Sequence, residues 1–297
     1  VNAIGVRVNS IVGTHSIIER SLYSKPFPIV TAQQYRHQIM DLGLKGKVAI
    51  VSGASRGIGL AIAHGLAREG CRLLVCARGQ EGLDAAVSAL QSHGTDVVGM
   101  ALDVTDPESG GKLAEKALSS FGGIDILVAN AGGNRRGKFE DTTDQDWDDI
   151  LELNLKAHLR TARAAIPAMK ESGEGSIIFI SSIFGREAGG PGLSIYNTTK
   201  SALISAAKIM AIELGGDGIR VNSIAPGSIR FEGGSWDKRC KDDPEGMKKF
   251  ISDNIPMGRF GSAEEVADVV TFLSSKRASW VSGSCITVDG VQSHSLI

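Results

Sequence analysis

Residues 47–59 read Lys47-Val48-Ala49-Ile50-Val51-Ser52-Gly53-Ala54-Ser55-Arg56-Gly57-Ile58-Gly59. The first five form a short apolar, β-branched run suited to a buried parallel strand, and a helical pattern follows the glycines through Ala67. The order is therefore strand, glycine loop, helix. Such a loop lets backbone approach a pyrophosphate closely and aims the N–H groups of the helix start at it. The spacing is GxxxGxG, not the commoner GxGxxG, so on this motif alone a glycine turn that merely packs helix on strand stays open. In the dinucleotide reading, the cradle is Gly53, Ser55, Arg56, Gly57, Ile58 and Gly59.

Outward from this loop the alternation continues. A second strand, Arg72–Ala77, ends on Arg78. In βαβ nucleotide folds an acid at this place binds the ribose 2′-hydroxyl, whereas an arginine accommodates a 2′-phosphate. With Arg56 in the loop itself, two cations flank one expected phosphate, which favours NADP(H) over NAD(H). A helix over Gly82–His93 leads to a strand over Asp96–Leu102, then Asp103-Val104. Asp106 and Pro107 predict a capped helix start running to Phe121. Ile124–Ala129 is a further strand closed by Asn130-Ala131-Gly132-Gly133, residues that either tighten a strand end or line a cofactor crevice. Strands at Gly175–Ser181, Arg220–Ile224 and Cys285–Val288 bring the total to seven. The expected fold is α/β: a single doubly wound Rossmann-type domain over residues 44–297, with a seven-stranded parallel sheet and helices on both faces.

The segment Ser182–Lys200 carries the chemistry. Tyr196 and Lys200, four apart on an expected helix from Ile195 to Leu214, share one face, and Ser182 precedes them at a strand end. A phenol with an ordinary pKa near ~10 becomes an acid-base catalyst at neutral pH when a neighbouring cation favours the phenolate. The helix from Asp144 to Met169 has the strongest apolar period in the chain, and Asn154 falls on its apolar face. A buried Asn must be hydrogen-bonded, as a structural clamp or as a functional relay. His158 on the same helix reads as a packed histidine. Ser262 and Glu265 predict a capping box at the last helix.

The 297 residues carry 32 basic and 33 acidic side chains, a net charge of −1, so no basic field drives binding to nucleic acid or a membrane surface. No run approaches the ~20 apolar residues of a membrane span. The four cysteines are dispersed without zinc-ligand spacing, so no metal is expected and the compartment is read as reducing, the cytoplasm. Cys71 and Cys76 read as small buried residues. Residues 1–43 are hydroxyl-rich and acid-poor, and are read as an N-terminal extension or, alternatively, a transit peptide. Within them Gly5–Ile11 nearly repeats Gly218–Ile224. The stretch Ser228–Ile255, with Trp236 and a charged run from Asp237 to Lys249, suits a substrate lid or a solvated surface hairpin.

Taken in order, Gly53/Gly57/Gly59, Asp103, Asn130-Ala131-Gly132, Asn154, Ser182, Tyr196, Lys200 and Pro226-Gly227 resemble the short-chain dehydrogenase/reductase family over about Leu44 to Val291. The resemblance implies that Tyr196 is the general acid or base at a carbonyl or alcohol oxygen and that Lys200 lowers its pKa and holds the nicotinamide ribose. It further implies that Ser182 binds the substrate oxygen and that Asn154 orders a water leading to Lys200. Asp103, with Val104 beside it, would border the adenine, and Pro226, Gly227 and Ile229 the nicotinamide. Homotetramers, or homodimers, are implied, with the Asn154 helix at an interface. Departures from the family pattern are Ser52 for Thr, Ala129 for Asn, one extra residue between Ser182 and Tyr196 that leaves Ser181 as a rival serine, and Phe231 for a Thr at the carboxamide. The expected activity is NADPH-dependent reduction of a ketone or 3-oxoacyl thioester, free or carrier-bound, with Arg160, Arg163 and Lys170 as a basic surface for an acidic carrier. The alternatives are a sugar or polyol dehydrogenase and a non-catalytic dinucleotide sensor.

Overall fold

Strand β1 (Val48–Ser52) lies inside a seven-stranded sheet, paired in parallel with β2 (Arg72–Ala77) on one side and β4 (Ile126–Ala129) on the other. The computed structural model describes residues 41–296; the extension up to residue 40, with its Gly5–Ile11 echo, lies outside the described residues. With β3 (Val97–Ala101), β5 (Gly175–Ile180), β6 (Ile219–Pro226) and β7 (Cys285–Val288), the strand order is β3-β2-β1-β4-β5-β6-β7, every pairing parallel.

Burial on both sheet faces explains the unbroken apolar runs in the sequence. Ala49 and Val51 of β1 point into one core layer, against α1 (Gly57–Arg68), α2 (Gln80–Gln91) and α9 (Ala263–Ser274). Val48 and Ile50 point into the other, against α3 (Ser109–Phe121), α5 (Ala157–Ser172) and α6 (Ser194–Leu214). The reversal of strand order between β1 and β4 opens a crevice at their carboxyl ends, where ligands bind in folds of this kind.

Three local expectations are corrected. Asp106 accepts from the N–H of Glu108 at 2.9 Å within a turn, and the helix begins only at Ser109, so Pro107 lies before it. The long periodic helix is α4 (Asp144–Leu151) and α5 joined by a π turn over Glu152–Lys156. The segment after β6 is no hairpin but α7 (Ser235–Asp242) and α8 (Pro244–Asn254), joined to the Phe260 region by the aromatic cluster Trp236, Phe250 and Phe260. The capping box at Ser262 and Glu265 forms as expected.

Candidate active site

The glycine loop is shaped by contacts that exclude a side chain. Gly57 has φ +57°, and a Cβ there would meet the Phe231 ring at 2.7 Å. A Cβ on Gly59 would meet the Gly53 carbonyl at 2.3 Å and Asn130 Nδ2 at 2.4 Å. The second contact follows from a cross-link between loops: Asn130 Nδ2 donates to the carbonyls of Ser52 at 3.0 Å and Gly53 at 3.1 Å. Ser52 Oγ in return accepts from the N–H groups of Asn130 and Ala131. Asn130 thus has its fold role and also lines the crevice.

Two cavities meet at this loop. The smaller, about 290 Å³, is lined by Gly53, Ser55, Arg56, Ile58, Gly59, Arg78, Val104, Asn130, Ala131 and Gly132. Asp103 is not among its lining residues; its carboxylate accepts from Thr105 N and Oγ1, and these bonds hold its pKa below the usual range. The larger cavity, about 590 Å³, contains Ser182, Tyr196, Lys200, Pro226, Gly227 and Ile229, with Arg56, Arg136 and residues of α7. Phe231 borders both, its ring over Gly57.

Ser182 follows β5; its hydroxyl accepts from Phe184 N at 3.2 Å and, in the same cleft as the Tyr196 phenol, opposes the rise of the phenol's pKa. Ser181, the rival, donates instead to the Lys200 carbonyl at 2.8 Å and so fastens α6 to β5. Lys200 is buried, 4% exposed, and donates from Nζ to the Ile180 carbonyl at 2.8 Å. Burial drives its pKa from 10.5 down to about 8. Asn154, fully buried in the π turn, accepts from Gly133 N at 2.9 Å and donates to Gly133 O at 2.9 Å and to Thr199 Oγ1 at 3.2 Å. Its clamp role is therefore visible, and π turns of this type recur at functional sites. His158, stacked on Phe179, donates from Nε2 to the Ala131 carbonyl, and burial drives its pKa down to about 3.

One expectation about the phenol changes. Burial raises the Tyr196 pKa, and the groups opposing that rise are the Ser182 hydroxyl and the charge of Arg136, not Lys200. The ammonium is tied to the Ile180 carbonyl, 5.8 Å from the ring centre, rather than to the phenol oxygen. Arg136 escaped the sequence reading; its only signal is the Arg135-Arg136 doublet just after the Asn130–Gly133 strand end. Burial also pushes the thiols of Cys71 and Cys76 up to about 12 and about 11, which removes them from thiolate chemistry. Among the described residues no cluster of three or more His, Cys, Asp or Glu forms a metal site, and no helix is long and apolar enough to cross a membrane.

Comparison with known proteins agrees with this architecture. The protein-family profile described as "Enoyl-(Acyl carrier protein) reductase" matches residues 53–290. The chain is 39% identical to rabbit (Oryctolagus cuniculus) dehydrogenase/reductase SDR family member 4, covering 83% of this chain and 94% of that protein. It is 37% identical to the 3-oxoacyl-[acyl-carrier-protein] reductase FabG of Escherichia coli K12, covering 84% and 98%. The crystal structure of L-sorbose reductase from Gluconobacter frateurii, complexed with NADPH and L-sorbose, superposes with a TM-score of 0.83 at 38% identity, over 86% of this chain and all of that one. The chain belongs to the short-chain dehydrogenase/reductase family and is an NAD(P)(H)-dependent oxidoreductase acting on CH–OH groups.

Proposed function

We propose that the enzyme is an NADPH-dependent carbonyl reductase, and in reverse a secondary-alcohol dehydrogenase, with Tyr196 as the general acid or base. The observation that carries this reading is the convergence of the Ser182 hydroxyl, the Tyr196 phenol and the buried Lys200 on one cleft beside the glycine loop. The loop suits a dinucleotide: Gly53 and Gly57 have positive φ, and Gly59 leaves no room for a side chain. In this reading Gly53 to Gly59 hold the pyrophosphate, Asn130, Ala131 and Gly132 line its path, and Pro226, Gly227 and Ile229 border the nicotinamide, with Asp103 and Val104 at the adenine. Arg56 and Arg78, neither in an ion pair among the described residues, border the smaller cavity and favour a 2′-phosphate.

When bound, the nicotinamide supplies the hydride. The protein's task is to hold the substrate oxygen between Ser182 and Tyr196 and to move one proton at the phenol oxygen. Lys200, seated on the Ile180 carbonyl, holds the nicotinamide ribose, and the charge that favours the phenolate when Tyr196 gives up its proton is that of Arg136. Asn154 keeps the Gly133 backbone in place behind Lys200 and carries the proton path towards solvent.

A sugar or polyol substrate stands beside a 3-oxoacyl thioester. A carrier protein finds little free basic charge on α5: Arg160 is paired with Glu152 and Lys170 with Asp217, which leaves Arg163. A non-catalytic sensor would have no use for the proton-handling set. The decisive assay is oxidation of NADPH and NADH with ketones, ketoses and 3-oxoacyl thioesters. Turnover with NADPH preferred supports the proposal; tight NADPH binding with no turnover selects the sensor. We also propose a homotetramer or homodimer, supported by the exposed Ile209 and Ile212 on α6 and tested by light scattering, and a cytoplasmic location, in keeping with four free cysteines. A closing role for 228–255 over the substrate belongs to the same proposal.

A further inference from the structure

The larger cleft is lined by charges of one sign. Arg56, Arg136, Lys200, Lys238 and Arg239 border it, and among the described residues no Asp or Glu does, although the whole chain balances 32 basic against 33 acidic residues. Pairing explains how the segregation arises. Arg135, next to Arg136, is neutralised by Asp146 and Asp149. On α7 the acid Asp237 turns away from the cleft and binds Arg230 at 3.0 Å and Lys241 at 2.7 Å. Arg135, Arg230 and Lys241 thus have partners, while Arg136, Lys238 and Arg239 have no ion pair among the described residues.

Two of these cations can be placed further. Arg136 lines the same cleft as the Tyr196 phenol and its charge acts on that phenol, so a group held by Arg136 lies in the cleft that holds the reacting oxygen. Arg239 stacks on Trp236, its guanidinium carbon 4.9 Å from the ring centre, which orients the fork and leaves its N–H edge free for an acceptor. The cofactor does not account for the set. Arg56 and Arg78 border the smaller cavity, whereas Arg136, Lys238 and Arg239 border only the cleft that holds Ser182 and Tyr196.

We infer that the substrate is an anion, carrying a carboxylate or phosphate a few bonds from the reacting carbon and seated between Arg136 and the α7 cations Lys238 and Arg239. The inference rests on the carbonyl-reductase reading for its chemistry but not for its binding, and the test separates the two. Two matched pairs serve as probes: 3-oxobutanoate with its methyl ester, and dihydroxyacetone phosphate with dihydroxyacetone. Binding to the enzyme–NADP⁺ complex is followed by calorimetry, and turnover by NADPH absorbance. The expected result is that at least one anion binds about 10- to 100-fold more tightly than its neutral partner, as one or two charge-assisted hydrogen bonds would give. The winning pair distinguishes carboxylate from phosphate.

In Arg136→Gln and in the double variant Lys238→Gln/Arg239→Gln, that ratio should fall about tenfold or more, with NADPH affinity held within about twofold. Equal binding within both pairs overturns the inference. So does a loss of NADPH affinity that matches the loss of discrimination, since the cations would then serve the cofactor. Anion preference without turnover of any probe supports the anionic site and counts against the reductase reading. Turnover without anion preference does the reverse.

Discussion

Replacing Lys200 by Met should make the protein lose activity and change how its stability responds to pH. In the folded chain the ammonium is buried against the Ile180 carbonyl and its pKa lies at about 8, against 10.5 for an ordinary lysine. Between those two values the unfolded chain binds a proton that the folded chain does not, so stability rises with pH across that window. Below it the charged form is present in both states, and the burial penalty is felt in full. From pH 7 to pH 9 a folded pKa of about 8 contributes roughly 1 kcal/mol of added stability to the native protein, from about 1.4 kcal/mol per decade of proton binding. Lys200→Met removes that gain. Other nearby groups are silent in the window: His158 titrates at about 3, and burial raises Tyr196 above its usual value. Urea unfolding of both proteins at pH 7 and pH 9 isolates the effect as a difference of differences. The reasoning fails if that quantity is under about 0.3 kcal/mol, or if the variant gains more than the native chain from the higher pH.

Tyr196→Phe should lower kcat by two to four orders of magnitude, the usual contribution of a positioned acid or base, while NADPH affinity stays within a few-fold; a near-normal kcat in steady-state assays would remove Tyr196 from the mechanism. Asn154→Ala deletes three buried bonds, to Gly133 N, Gly133 O and Thr199 Oγ1, and at about 1 kcal/mol each should cost about 2–4 kcal/mol in urea unfolding. A cost below about 1 kcal/mol would count against the clamp. Gly59→Ala drives a methyl to 2.3 Å from the Gly53 carbonyl and 2.4 Å from Asn130 Nδ2. It should destabilise by about 1–3 kcal/mol and weaken NADPH binding in fluorescence titration, and unchanged NADPH affinity would separate this loop from the cofactor. Arg78→Ala should erode preference for NADPH over NADH, read as the ratio of kcat/KM; an unchanged ratio would assign the 2′-phosphate elsewhere.

Where a structural choice is local, the sequence was a sufficient guide. The strands Arg72–Ala77 and Cys285–Val288 form with the bounds read from their runs in the sequence, and the Ser262–Glu265 capping box needs only four residues to exist. The failures have a tertiary origin. The π turn at Glu152–Lys156 accommodates Asn154, whose partners Gly133 and Thr199 come from other elements, and no helical period encodes that. Arg136 is invisible for a similar reason. An arginine doublet on a loop reads as solvated charge until Asp146 and Asp149 are seen to neutralise Arg135 and leave its neighbour lining the cleft of the phenol. The tyrosine-lysine pair was legible, whereas the direction of the ammonium was not, because the Ile180 carbonyl that takes it lies on a strand 20 residues earlier.

These contacts divide the cleft into unequal halves. One wall, the loop after β4, is held by three side chains from different elements: Asn130 on the glycine loop, Asn154 on Gly133 and His158 on Ala131. Each bonds backbone, and Asn154 and His158 are buried, so shifting this wall would leave buried polar groups unpaired at about 1–3 kcal/mol apiece. The opposite wall, α7, depends on its aromatic cluster with Phe250 and Phe260 and on ion pairs of Asp237 whose basic partners are largely exposed, a class of contact worth about 0–1 kcal/mol. If 228–255 closes over the substrate as proposed, adjustment to substrates of different size falls to the α7 side, at whose root Phe231 lies over Gly57. On the anionic-substrate proposal Lys238 and Arg239 thus sit on the more weakly held wall, whereas Tyr196 and Lys200 sit on α6, packed against the sheet.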